Sequence, residues 1–198
     1  MEKEIKKELN KHSKIQVLTL LGVSFAVACS LLFSIWAIVY VAKEDSTNGW
    51  MLADCVLSMV AAIAIIWYAI FGRKHGHWAK CIPVALLGVS ICASIGTDAY
   101  NAAGSPSVAA VDCSLQALLL GLVIFAATSF KKPKISNIVF CIALVLSVVL
   151  AIYWTTSIAS YDDFESKKKI AWCLWCWTSP TLICGIQVGF ITDDLRRK

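Results

Sequence analysis

Apolar residues run along this chain in long unbroken stretches, and the charged residues gather in the short gaps between them. Each stretch is roughly twenty residues or more, the length an α-helix needs to cross a bilayer core. The stretches are continuous and lack the alternation of a barrel strand. Lipid-exposed backbone must also satisfy its own hydrogen bonds. The pattern therefore predicts an all-α, polytopic membrane helix bundle. Six transmembrane helices are expected, at about 15–42, 50–71, 81–101, 107–130, 135–160 and 170–192. The gaps are short, so consecutive helices should be antiparallel neighbours in a single transmembrane domain over residues 1–198.

Composition agrees. The chain is 59% hydrophobic and 16% charged, against about 25% charged in an ordinary soluble domain. Orientation follows from lysine and arginine in the short loops. Residues 1–14, 72–80 and 131–134 and the carboxyl terminus hold fourteen of the eighteen basic residues. The opposite side holds Lys43, Lys167, Lys168 and Lys169. This predicts a multi-pass plasma-membrane protein with both termini cytoplasmic. The net charge of +5 divides into about +9 inside and −4 outside. That division describes membrane topology, and no basic stripe with interleaved aromatics marks a nucleic-acid surface. "AVACS" at 26–30 faintly resembles a lipoprotein cleavage site, but the first stretch reads as a retained span.

Short repeats suggest an internal plan. "LLGVS" occurs at 20–24 and 86–90, and Asp-Cys at 54–55 and 112–113. Ser147 and Trp172-Cys173 fit the same order loosely, so three helical hairpins of one design are expected. In size and span count this resembles the urea and amide channels, and the vitamin-capturing subunits of some bacterial importers. That likeness implies an architecture and no chemistry. Gly22, Ser24, Ala26, Ala28 and Ser30 form a small-residue pattern suited to close helix packing or to docking another subunit.

Three acids lie closest to the hydrocarbon: Asp54, Asp98 and Asp112. An ionised Asp at the centre of a membrane helix costs about 2.5–3.5 kcal/mol on insertion scales, and less near the interface. The predicted topology puts all three at a similar shallow depth on the outer side. They are expected to form an acidic vestibule for a small cationic or hydrogen-bonding solute. Trp50, Tyr100, Asn101, Trp154 and Thr155 stand at the same level as candidate lining. A plainer reading is that Asp54 and Asp112 favour the dipole of a first helical turn. His75 and His77 read as a solvated turn.

"IAWCLWCWTSP" at 170–180 holds three tryptophans and a CxxC pair, Cys173 and Cys176. "CLWC" resembles the membrane thiol oxidoreductases related to quinone-reducing disulfide-forming enzymes and to vitamin K epoxide reductase. The resemblance implies a redox pair and a quinone cofactor. Those proteins carry a second cysteine pair in an outer loop, and the outer loops 43–49, 102–106 and 161–169 contain none here. A convergence of Cys55, Cys113 and Cys173 on a soft metal is a weaker alternative. No Walker loop, GxSxG or HExxH motif occurs.

The leading expectation is a small integral membrane transporter or channel subunit with an outward-facing acidic and aromatic solute site. It needs no catalytic residues, metal or cofactor. Its partners are the lipid bilayer, a small solute, and further copies of itself or a partner subunit. The alternatives are a thiol-disulfide oxidoreductase using Cys173 and Cys176, and a non-catalytic membrane partner or immunity-type protein.

Overall fold

The computed structural model describes residues 2–41, 49–71, 78–101, 106–129, 132–160 and 166–196. His75, His77 and the side chain of Asn101 lie outside the described residues. The described chain is an all-α membrane helix bundle. Its helices are α1 (Glu2–Val41), α2 (Gly49–Ile70), α3 (Trp78–Asn101), α4 (Pro106–Thr128), α5 (Pro133–Ala159), α6 (Ser166–Cys176) and α7 (Thr178–Arg196). Five of them, α1 to α5, are long and apolar enough to cross a membrane.

The sixth apolar stretch differs from expectation. It is broken at Trp177 into α6 and α7. Pro180 has no amide hydrogen, so it cannot close the helical bond to the Cys176 carbonyl. The chain tightens at the break, where the Trp177 amide donates to the Leu174 carbonyl at 3.1 Å. Thr178 Oγ1 donates to the Trp175 carbonyl at 2.7 Å. Thr181 Oγ1 donates to the carbonyls of Trp177 and Thr178, at 3.0 and 2.8 Å. The Thr178 hydroxyl thus takes up the Trp175 carbonyl, which the interrupted helix leaves open.

Consecutive helices pack antiparallel. Trp50 lies against Gly96, and Ser58 and Ser90 share a hydrogen bond at 2.9 Å. Gly88 faces Leu120 across α3 and α4. Pro133 opens α5 at its first turn, where a missing amide hydrogen costs nothing. Ser136 Oγ then donates to the Ala126 carbonyl at 2.9 Å, tying α5 to the end of α4. On α1, Gly22 faces Val188 and Ala26 faces Gly185. The small-residue pattern therefore seats α7 against α1, with Ala26 and Ser30 buried and Ser24 and Ala28 exposed. α7 also touches α2, α3 and α5.

The main core joins Val27, Ile65, Leu87, Leu119, Phe140 and Ile183, one from each of six helices. At one end of the bundle, Tyr68, Phe140 and Phe190 meet edge to face, with centroids 5.3 and 5.8 Å apart. Lys80 is buried there, 5.1 Å over the Phe190 ring. At the opposite end a smaller cluster joins Ala37, Met51, Cys55 and Trp175. Trp36, Trp50, Tyr100 and Tyr153 are exposed at that end, the arrangement of an interfacial aromatic belt.

Gly96 gives a direct packing test. A Cβ there meets Trp50 Cδ2 at 2.6 Å and Cγ at 3.0 Å. Gly96→Ala is expected to cost about 1–3 kcal/mol, the usual range for overpacking. Adding Trp50→Ala should restore most of that loss in a thermal melt of the purified protein. A Gly96→Ala protein as stable as wild type contradicts this contact.

Candidate functional site

The site begins with three carboxylates set in apolar helices. α2 contributes Asp54 near its start, α3 contributes Asp98 near its end, and α4 contributes Asp112 near its start. Antiparallel packing brings the three to one end of the bundle. Their exposures are 2%, 4% and 1%. Lys80, the buried basic side chain, is eighteen residues along α3 from Asp98, about 27 Å away by helical rise.

Asp54 is fully partnered. Its Oδ1 accepts from Ser58 Oγ at 3.4 Å and from Ser90 Oγ. Its Oδ2 accepts from Trp175 Nε1 at 2.9 Å. One carboxylate thus links α2, α3 and α6. Trp172 packs edge to face on Trp175, with centroids 5.7 Å apart, and steadies the donor ring. The tryptophans of "IAWCLWCWTSP" therefore do packing and hydrogen-bonding work around a buried acid.

Asp98 is different. Gln116 on α4 hydrogen-bonds to it, yet Asp98 Oδ2 and Gln116 Oε1 have no partner among the described residues. Both oxygens of Asp112 are likewise unpartnered. Buried polar atoms in native proteins are nearly always satisfied, so these mark a place where something polar or charged belongs.

Between these groups lies a cavity. Asp54, Asp98 and Gln116 line one wall, and Ser147 and Trp154 of α5 line another. The broken helix supplies Trp175, Cys176, Thr178 and Ser179. Six helices, α2 to α7, therefore contribute to it. The space open to the centre of a water molecule is about 30 Å³. One water needs about 10–15 Å³ on that measure, so the cavity has room for about two water-sized particles. Among the described residues no Lys, Arg or His lines it.

The residues expected at the site divide between two places. Asp54, Asp98 and Trp154 line the cavity, and Trp154 Nε1 is a buried donor without a partner among the described residues. Asp112 stands behind Asp98, outside the lining. Tyr100 and Trp50 are 60% and 55% exposed and belong to the aromatic belt. Thr155 lies outside the lining, and its carbonyl is 4.0 Å from Cys173 Sγ. Cys173 and Cys176 are both free thiols, and Cys176 lines the cavity. Cys173 is seven residues past the start of α6, beyond the first turn where the helix dipole acts. Among the described residues no three His, Cys, Asp or Glu side chains gather as metal ligands.

Ser58, Ser90, Ser94, Gln116, Ser147, Thr178, Ser179 and Trp175 complete the site and were not singled out as site residues from the sequence. A signal was present. Each acid has a polar residue one helical turn away: Ser58 follows Asp54, Ser94 precedes Asp98, and Gln116 follows Asp112. Residues four apart share a helix face, so each pair marks the polar side of its helix.

Ser24 and Ser90 hold matching places in the "LLGVS" repeat but have different surroundings. Ser24 is exposed, whereas Ser90 is buried against Asp54 and Ser58. Ser90→Ala is expected to cost about 1–2 kcal/mol through lost hydrogen bonds to a charged group. Ser24→Ala should change stability by less than about 0.5 kcal/mol. Thermal melts of the two variants check this, and equal effects contradict it. No protein-family model matches this chain, and no curated protein or solved structure matches it either.

Proposed function

We propose that this chain is a small transporter or channel subunit, with the cavity lined by Asp54, Asp98 and Gln116 as its solute site. One observation carries the reading. A membrane helix bundle encloses buried carboxylates and unpartnered oxygens around an open space, with no basic side chain among the described residues that line it. Polar and ionisable groups inside a membrane bundle are costly, and they characteristically mark solute or ion pathways. The interrupted helix supports the same reading, because irregular backbone at membrane depth is tolerated where it lines a cavity.

The solute is small, and the acids favour a cation. Basic residues in the loops support a plasma-membrane orientation with both termini cytoplasmic. The acid-rich end then opens outward. With no nucleotide-binding motif in the sequence, the driving force is an ion gradient, and further copies or a partner subunit complete the assembly.

The test is uptake into proteoliposomes by wild type and by Asp98→Asn, across inorganic cations and small amines. Loss of uptake in the variant, with folding intact, supports the reading. Uptake equal to wild type for every solute carried overturns the site assignment.

A further inference from the structure

We infer that the cavity is a binding site for one dehydrated monovalent cation of the sodium type, with a single water beside it. The inference rests on the proposed solute site and names its ligand class.

The argument is an inventory of lone pairs. Asp98 lines the cavity and is more than nine-tenths buried, and its Oδ2 has no partner among the described residues. Gln116 is an independent witness. It is 9% exposed, lines the same cavity, and its Oε1 is an unpartnered acceptor. Two hydroxyls add to these. Ser147 Oγ donates its hydrogen to the Leu144 carbonyl at 2.8 Å, and Thr178 Oγ1 donates to the Trp175 carbonyl at 2.7 Å. With their hydrogens committed, both present only lone pairs to the cavity they line. Two waters would also satisfy four such oxygens, since each brings two hydrogens; the uncompensated charge of the Asp98 carboxylate is what favours a cation in place of the second water.

The donors fit the same picture. Trp175 Nε1 is already committed to Asp54, and Trp154 Nε1 is a buried donor in the lining without a partner among the described residues, beside the Ser94 and Ser179 hydroxyls. It can hold a water by one lone pair while that water offers its other lone pair to the cation. A cation and one water match a space of about 30 Å³, given about 10–15 Å³ for each water-sized particle. At the helix break the carboxyl-terminal end of α6 falls at Cys176 and the amino-terminal end of α7 at Thr178, both in the lining. Their partial charges are opposite, so the side-chain oxygens and not the helix ends set the sign of the ligand.

Chemistry selects the ion. Calcium requires six to eight oxygens with several carboxylates, and magnesium strict octahedral geometry with retained waters. Here one carboxylate oxygen in the lining residues has no partner at all among the described residues, since each oxygen of Asp54 already accepts from at least one donor. Soft metals need converging thiolates or imidazoles, and Cys176 is the single such group in the lining. A large organic cation does not fit the space. A small, hard, singly charged ion remains.

The experiment measures binding of radiolabelled sodium to the full chain purified in detergent, by scintillation proximity, with thermal melts in parallel. Expected are saturable binding displaced by sodium more effectively than by potassium, and a melting temperature higher in sodium chloride than in potassium or choline chloride at equal ionic strength. Asp98→Asn should weaken binding at least about tenfold and remove the sodium-dependent stabilisation, since ligand binding stabilises only where the site exists. If that variant does not fold, Ser147→Ala serves, because its hydroxyl hydrogen is spent on its own helix. It should weaken binding several-fold. Absence of saturable sodium binding to wild type, together with equal melting in all three salts, overturns the inference. Sodium binding without uptake of any solute upholds the inference and overturns the transport reading. Solute uptake by a protein that binds no sodium does the reverse.

Discussion

Replacing Asp54 by alanine is expected to lower the unfolding free energy by about 3 kcal/mol, the low end for breaking a buried charged group away from its partners. Asp54 accepts from Trp175, Ser58 and Ser90, and so joins three helices. Alanine strands Trp175 Nε1 in a buried site, at about 1–3 kcal/mol for a donor left unsatisfied. Ser58 and Ser90 lose less, because with the carboxylate gone one hydroxyl can turn its hydrogen to the other, 2.9 Å away. Asparagine can accept from Trp175 through its oxygen and donate to the serines through its nitrogen. Asp54→Asn should therefore lie within about 1 kcal/mol of wild type, less than a single unsatisfied buried group costs. The measurement is a melting curve of the purified protein for both variants. A double-mutant cycle with Trp175→Phe should give a coupling energy of about 0.5–3 kcal/mol, as for residues in one hydrogen-bonded network. An Asp54→Ala protein indistinguishable from wild type refutes the network's structural role.

The second large effect is expected at Pro180, on activity and not on stability. Alanine restores an amide that can bond the Cys176 carbonyl, so the two half-helices can fuse through Trp177. Proline in a first helical turn is well tolerated, so its removal should shift stability by no more than about 0.5 kcal/mol. Fusion displaces Thr178, Ser179 and Cys176, which line the cavity. Sodium affinity and solute uptake should fall at least about tenfold, equivalent to roughly 1.4 kcal/mol at the site. Pro180→Gly restores the same amide but favours the helix less than alanine by about 1 kcal/mol, so its loss of function should be smaller. Equal uptake by wild type and Pro180→Ala would show that the interruption is incidental to transport.

Much of the architecture was legible because it rests on local patterns. The predicted spans 50–71, 81–101, 107–130 and 135–160 fall within a few residues of α2, α3, α4 and α5. Each is bounded by charges or proline, and helix ends respond to such near neighbours. The sixth stretch was legible as apolar but not as broken. Pro180 is visible in the sequence, yet a proline near one end reads equally as a kink, a first turn or a full interruption. The choice depends on whether Thr178 reaches a freed carbonyl and on what the neighbouring helices enclose.

The site divided along the same line. Depth along each helix follows from residue counting, so the shared level of Asp54, Asp98 and Asp112 was readable. Azimuth was harder. Trp50 and Tyr100 have the depth of the site but face outward at the belt, because aromatic rings suit both a cavity wall and an interface. The polar residues one turn from each acid did encode azimuth, on α2, α3 and α4.

The sequence by itself determined the solvent this protein folds in, the number and placing of its apolar segments, and the cost of burying three acids. These depend on hydropathy and spacing, which act over one or two helical turns. Only the tertiary structure decided that Trp175 bonds to an acid 121 residues away. It also decided that the polar faces of α3, α4 and α5 meet at the interruption before α7, and that Asp98 and Gln116 keep unshared oxygens there. Such pairings depend on how each helix rotates against its neighbours. That rotation is fixed by the simultaneous packing of all seven helices, and no single stretch of sequence carries it.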